Sequence, residues 1–344
     1  MRPLSAPSSL AVREALLRLL SGKDLSRLQL QQAIADLLSG EAPPAQVGAL
    51  AALLRIKPRP DEELAVALEA FRARTQRLSH PLARVLSCST PGCESTHAAS
   101  LLPAVALVCS AAGLPTVETV QEGAVRGAGS VEVLEALGVP LELDPSVLGA
   151  RLARHQVAFA PAQALLPGLR HLLGGRVELG FISVFQLLAS LLDPAGAQVH
   201  LVGGHDPAML ERVARLMARS GNTRCWVVRG LDGLDALSPS GPSEVASIEE
   251  DGHIRLFTLS PSDAGLATLP TGALEGGGPA DQARALRALL AGEDGPLRTA
   301  VLLNAAGALF LAGMAPSLAQ GAELAARAID SGAAMGQLAA LTGR

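Results

Sequence analysis

Two hydrophobic rhythms divide this chain, and the change between them near Pro81 limits what it can fold into. From Leu25 to Thr75 apolar residues recur at helical spacing, with Asp24 and Ser26 as candidate caps, Gly40 as a stop and Pro43-Pro44 opening the next helix. Lys57-Pro58-Arg59-Pro60 breaks the pattern, and Asp61-Glu62-Glu63 then places carboxylates in a first helical turn, where the dipole favours them. After Pro81 short apolar runs alternate with helical stretches: Val85 to Ser87, Thr116 to Val117, Val157 to Ala160, Val199 to Val202 and Cys225 to Val228. Such alternation predicts a mostly parallel sheet covered by helices. A Leu-rich helical stretch interrupts it between residues 165 and 195. Glu244 to Glu249 and His253 to Leu259 flank Asp251-Gly252, a hairpin signal, and helices are expected from Gln282 and Ala322.

The expected fold class is therefore α/β. A helical domain over residues 1–82, joined by helices from about 165–195, should sit beside an α/β domain over 83–344. Close packing of helices on the sheet suits a hydrophobic fraction of 49% with only 2% aromatics. The 28 basic residues are scattered and the net charge is −4, so no stripe exists to neutralise a row of nucleic-acid phosphates. Leu101 to Val108 and Ala300 to Ala312 are shorter than the roughly 20 apolar residues of a membrane span. The opening residues, with Arg2 before Pro3 and Ser5, lack the apolar run of a secretory signal, and four cysteines make no disulfide framework. A cytoplasmic protein is expected.

Several phrases, in order, carry a resemblance. Ser39-Gly40-Glu41, Leu53-Leu54-Arg55-Ile56-Lys57, Phe159-Ala160-Pro161, Glu178-Leu179-Gly180, Gly230 to Asp235, Gly241-Pro242-Ser243, Val301 to Ala306 and Asp330-Ser331-Gly332 span nearly the whole chain. The most specific is Gly129-Ser130-Val131-Glu132-Val133-Leu134-Glu135-Ala136-Leu137-Gly138. Together they resemble the anthranilate phosphoribosyltransferases of tryptophan biosynthesis, also classed as glycosyltransferase family 3. The resemblance implies a nucleoside phosphorylase/phosphoribosyltransferase-like fold, a small-molecule ligand in the cleft between the domains and a homodimer formed through the helical domain. It also implies transfer of the phosphoribosyl group of phosphoribosyl pyrophosphate to anthranilate, with magnesium, which is expected here only if that activity is retained.

The same resemblance places the substrate-binding and metal positions, and there the residues differ. A glycine-rich loop lets backbone N–H groups surround an anion, and the family's loop falls on Thr90-Pro91-Gly92-Cys93-Glu94-Ser95. One glycine, Gly92, remains in register, and Pro91 removes a donor. Thr90, Gly92 and Ser95 are the candidate contacts, with Glu94 and Asp235 as candidate metal ligands. The family's second loop, Lys-His-Gly-Asn-Arg, falls on Glu118-Thr119-Val120-Gln121-Glu122, so carboxylates replace two cations. Each charge-assisted hydrogen bond lost is worth roughly 1.5 to 3 kcal/mol. The metal-binding Asp-Glu pair falls on Asp235-Ala236, leaving one carboxylate where magnesium takes several oxygen ligands. Arg126 is a candidate displaced cation.

Arg176 matches the arginine that the family places near the anthranilate carboxylate. It is read either as such a contact or as a salt bridge at the surface or between domains. Glu118 also stands at a substrate-facing position, although Glu118 and Glu122 read more naturally as solvated carboxylates of an exposed loop than as an acid–base pair. Cys88, Cys93 and His97 share one predicted loop with spacing that could hold a metal, against the plainer reading of chance thiols. Asp232 and Asp235 read as turn formers, and Asn304 as a buried helix residue satisfying backbone groups. These substitutions predict a divergent paralogue with impaired or lost transfer. The alternatives are an active phosphoribosyltransferase and, against the acidic balance, a nucleic-acid-binding paralogue.

Overall fold

Caps and breakers set the helices of the N-terminal domain as the sequence reads. The computed structural model describes residues 9–56, 61–92, 99–121, 129–173, 179–204, 206–222, 224–249, 251–274 and 276–343. Helix α1 (Leu10–Leu20) starts where the Ser9 hydroxyl accepts the Val12 N–H at 2.9 Å. Helix α2 (Arg27–Ser39) opens with a capping box between Ser26 and Gln29 and ends at Gly40, whose φ of 82° suits glycine. Pro44 begins α3 (Pro44–Ile56), and Asp61, Glu62 and Glu63 fill the first turn of α4 (Asp61–Arg72). Glu63 is buried, and its Oε1 accepts the Leu25 N–H at 2.6 Å, which ties α4 to the turn before α2.

Residues 162–173 and 179–190 return to this bundle, with helices α8 (Ala162–Leu165), α9 (Arg170–Leu173) and α10 (Val184–Ser190). Leu165, Leu169, Phe185 and Leu188 share a buried cluster with Leu30, Leu37, Leu50 and Leu54. At Gly168 a Cβ would lie 2.4 Å from the Leu38 carbonyl oxygen, so the approach requires glycine.

The larger domain is built on a seven-stranded sheet in the order β3-β2-β1-β4-β5-β6-β7. Strands β1 (Leu86–Ser89), β2 (Thr116–Val120), β3 (Val157–Pro161), β4 (Val199–Gly203) and β5 (Cys225–Gly230) are parallel. The predicted hairpin, β6 (Ser243–Ile248) and β7 (Ile254–Leu259), adds an antiparallel edge. Helices α5 (Leu102–Ala111), α6 (Ser130–Leu137), α7 (Pro145–His155) and α11 (Pro207–Arg219) follow the parallel strands. Successive strand residues face opposite ways. Val117, Ala158, Val202 and Val227 therefore join the core shared with the helical bundle, while Leu86, Phe159, Leu201 and Trp226 join the other. Covering both faces explains why these strands read as continuous apolar runs.

Two expectations are corrected. Strand β2 runs on to Val120 because Glu118 and Thr119, polar residues that ended the apolar run in the sequence, are buried within it. The C-terminal region holds four helices rather than the two expected: α12 (Pro279–Leu290), α13 (Pro296–Leu311), α14 (Leu318–Asp330) and α15 (Ala333–Thr342). Helix α13 is buried along most of its length, so it has no broad polar face to mark its period. Among the described residues no helix is long and apolar enough to cross a membrane.

Asn304, fully buried in α13, accepts the Leu237 N–H and donates to the Leu237 and Ala300 carbonyls, each at 2.9 Å. Replacing it by alanine strands two backbone groups inside the core. Asn304→Ala is therefore expected to lower the unfolding free energy by about 3 kcal/mol, measured by urea denaturation; an unchanged midpoint would contradict this role.

Candidate functional site

The chain runs from β1 to its neighbour β2 on one side, while β4 lies on the other side of β1, so the topology reverses between β1 and β4. In open α/β sheets the crevice outside the carboxyl ends of such strands is where ligands bind. Three segments meet there. The Thr90 hydroxyl donates to Asp235 Oδ2 at 2.5 Å and accepts the Gly92 N–H at 2.9 Å. At Gly203, the end of β4, a Cβ would stand 2.2 Å from the Asp235 carbonyl oxygen and 3.0 Å from Thr90 Cβ. Thr90, Gly92 and Asp235, separated in sequence, are thus brought together, with Gly92 at a φ of 99° that suits glycine.

Among the described residues the crevice offers magnesium one carboxylate, Asp235, where the family resemblance implies an Asp-Glu pair. Asp235 carries the Thr90 hydrogen bond, and its neighbour is the buried Ala236. The nearby carboxylate of Asp232 serves its own turn, accepting the Leu234 N–H at 3.2 Å and the Ser238 hydroxyl at 2.6 Å. Among the described residues no group of three His, Cys, Asp or Glu side chains is placed to hold a metal ion. Glu94 lies outside the described residues, as do Ser95, Cys93, His97, Glu122, Arg126 and Arg176.

Glu118 is the main correction at the site. It is no solvated loop residue: it is 1% exposed within β2, directly beside Cys88 in the ladder. Its side chain reaches Ser130 at the start of α6, and the Ser130 hydroxyl lies 3.1 Å from that of Ser100. Burial lifts the Glu118 carboxyl from an ordinary 4.5 to about 8, outweighing the Ser130 hydrogen bond. At neutral pH the group is mostly protonated. It therefore supplies neither the cation of the family's loop nor the repulsion expected from a carboxylate. Cys88 is corrected with it, being a buried residue of β1 and not of a loop. Burial first, then Glu118 and Cys109, push its thiol well above the usual range, so it offers no ready thiolate.

The opposite face of β2 meets the helical bundle. There Gln121, just past the strand, donates through Nε2 to the Gln186 carbonyl of α10 at 3.0 Å, both residues being buried. Thr119 and Gln121 are polar by type, yet both are buried here. Elsewhere along the seam a recess of about 80 Å³ opens among α3, α4, α10 and the start of α11, lined by Leu54, Leu187 and Met209 with Arg55 and Arg212.

A helical bundle beside an α/β domain, with a crevice at the carboxyl ends of its parallel strands, defines a class of protein. Residues 13–75 match the glycosyl transferase family's helical bundle domain, and residues 85–335 match its a/b domain. Over 332 residues the chain is 42% identical to the anthranilate phosphoribosyltransferase of Myxococcus xanthus, covering 96% of this chain and 98% of the relative. The counterpart from Methylocella silvestris is 39% identical over 96% of this chain and 94% of its own. Among solved structures, anthranilate phosphoribosyltransferase from Thermus thermophilus superposes with a TM-score of 0.86 at 32% identity, covering 97% of this chain and 98% of that one. The Saccharomyces cerevisiae protein in complex with PRPP and Mg shares the fold, with a TM-score of 0.88 at 22% identity over 98% of both chains. The chain belongs to the anthranilate phosphoribosyltransferase family.

Because Glu118 is acidic only above its ordinary range, the folded state holds a proton that the unfolded chain releases. Its contribution to stability is complete below about pH 4.5 and is lost as pH rises towards about 8. Glu118→Gln removes this dependence. Between pH 6 and pH 8 the variant should gain roughly 2 to 3 kcal/mol relative to the native chain, read from denaturation curves at each pH. Parallel pH profiles would refute the assignment.

Proposed function

We propose that this chain is a divergent member of its family in which phosphoribosyl transfer is impaired or lost, and whose interdomain cleft binds a different small molecule. The observation that carries this reading is Glu118, a buried, mostly neutral acid at the position where the family resemblance implies lysine. A pyrophosphate brought to this crevice loses that cation, and a group that stays uncharged in its place offsets none of the developing negative charge. Two further features support the reading. Pro91 has no N–H to offer an anion, and the Thr90 hydroxyl is engaged with Asp235 and the Gly92 N–H.

A rival reading, an active anthranilate phosphoribosyltransferase, is favoured by the 42% identity to the Myxococcus xanthus protein over 96% of this chain. The two separate cleanly. With phosphoribosyl pyrophosphate, anthranilate and magnesium, the chain is expected to form no phosphoribosylanthranilate above background in a fluorescence assay, and to give no heat on titration with phosphoribosyl pyrophosphate and magnesium. Turnover in that assay would establish the rival.

For the architecture, we take residues 1–82 with the helices of about 165–195 as the helical domain and 83–344 as the α/β domain, in a cytoplasmic protein. The helical domain is also the proposed dimer surface. Leu10, Leu17 and Leu20 form an exposed apolar stripe on α1, 59 to 70% accessible, with Leu28 of α2 exposed as well. Light scattering is expected to give twice the chain mass, and Leu17→Glu with Leu20→Glu to give the monomer. A native monomer would refute this surface.

A further inference from the structure

Where the helical bundle closes on β2, buried side chains are left with hydrogen-bonding capacity that the protein does not use. Gln121 and Gln186 face each other across the seam, 8% and 1% exposed. Backbone partners fix the orientation of both amides. Gln121 Nε2 donates to the Gln186 carbonyl at 3.0 Å, leaving Gln121 Oε1 with no partner. Gln186 Oε1 accepts the Ser183 N–H at 2.7 Å and the Ser183 hydroxyl as well, leaving Gln186 Nε2 with no partner. Thr119 Oγ1, on the same face of β2 as Gln121, is likewise buried and unpartnered. Buried polar atoms are paired in folded proteins with few exceptions, and an exception requires a reason. Apolar side chains would close a purely structural seam without this loss.

We infer that the Gln121–Gln186 seam recognises a neutral, planar ligand edge carrying an N–H donor beside a carbonyl acceptor, as in a carboxamide or a lactam ring. The inference rests on the reading that the cleft remains a ligand site. Gln121 Oε1 accepts the ligand's N–H and Gln186 Nε2 donates to its carbonyl, with the Thr119 hydroxyl serving either role. The edge enters as the bundle lifts from β2, since both atoms are closed to solvent. A carboxylate edge presents two acceptors and no donor, so one of its oxygens would stand against Gln121 Oε1. Glu118 lies on the other face of the strand, so the two glutamines and Thr119 meet the ligand without formal charge.

The test uses the full chain and four probes of similar size: 2-pyridone and benzamide, with benzoate and anthranilate as the carboxylates. In titration calorimetry the amide probes are expected to bind at least tenfold more tightly than the carboxylates. Q186E keeps the acceptor for Ser183 while removing the donor, and Q121M removes the acceptor at similar volume; each should abolish the preference. Circular dichroism checks folding, and Q121M decides if Q186E does not fold. Carboxylate binding equal to or tighter than amide binding overturns the inference, as does a preference that survives Q121M, or no binding of either amide. Formation of phosphoribosylanthranilate would remove the functional reading as well, whereas absent turnover with no amide preference removes this inference alone.

Discussion

Coverage of both faces of the parallel sheet governs the chemistry of everything placed on it. Helices α7 and α11 with the helical bundle and its returning segment close one face, and α5, α6 and the C-terminal helices close the other. Several polar side chains on and beside β2 are then settled inside the protein. Thr116 does so by donating to the Leu114 carbonyl at 2.8 Å. Glu118 does so by keeping its proton and reaching Ser130. Gln121 turns to the backbone of α10. The fold, more than residue type, decides which of these groups carries charge.

This coverage also explains which parts of the molecule were legible in the sequence. The hairpin around Asp251-Gly252, the Ser26 capping box and the Gly40 stop could be read because each is a local requirement, visible in a few adjacent residues. Strand β2 could not be read in full, because Glu118 and Thr119 resemble the start of a solvated loop. Polarity stands for exposure on a surface strand, but it fails at the carboxyl ends of buried parallel strands, where binding sites are built. Helix α13 was hidden for the opposite reason: it is apolar nearly all round, so no period distinguishes it from a buried strand. The meeting of Thr90, Gly203 and Asp235 depends on three separate loops and has no local signature at all.

The phrases that carry the family likeness are largely those with local geometric work. In Gly129 to Gly138, the Gly129 N–H donates to Glu132 Oε2 at 3.0 Å to start α6, and Gly138 ends it at a φ of 79°. Asp144 then caps α7 through the Ser146 N–H at 2.8 Å. Each of these contacts joins residues within a few positions of each other in the chain. Thr90-Pro91-Gly92 behaves differently. A phosphate cradle presents its N–H groups outward, whereas here the Gly92 N–H is turned back to the Thr90 hydroxyl, which is itself tied to Asp235. Within Thr90 to Gly92 that N–H is already taken.

The buried position of Glu118 changes the electrostatics that an anion would meet beside β2. Read from the sequence, the second loop repels an anion through two carboxylates. In the fold the Glu118 carboxyl is held near 8, so at neutral pH the penalty at that position is mainly the missing lysine and not an opposing charge. The two are separable because they depend differently on pH. A missing cation weakens anion binding at every pH, while repulsion from Glu118 grows only as its proton leaves. An anion in the crevice would hold that proton more firmly, and a cationic ligand would favour its release. The ionisation of one buried acid in β2 therefore sets the charge at that position of the sheet.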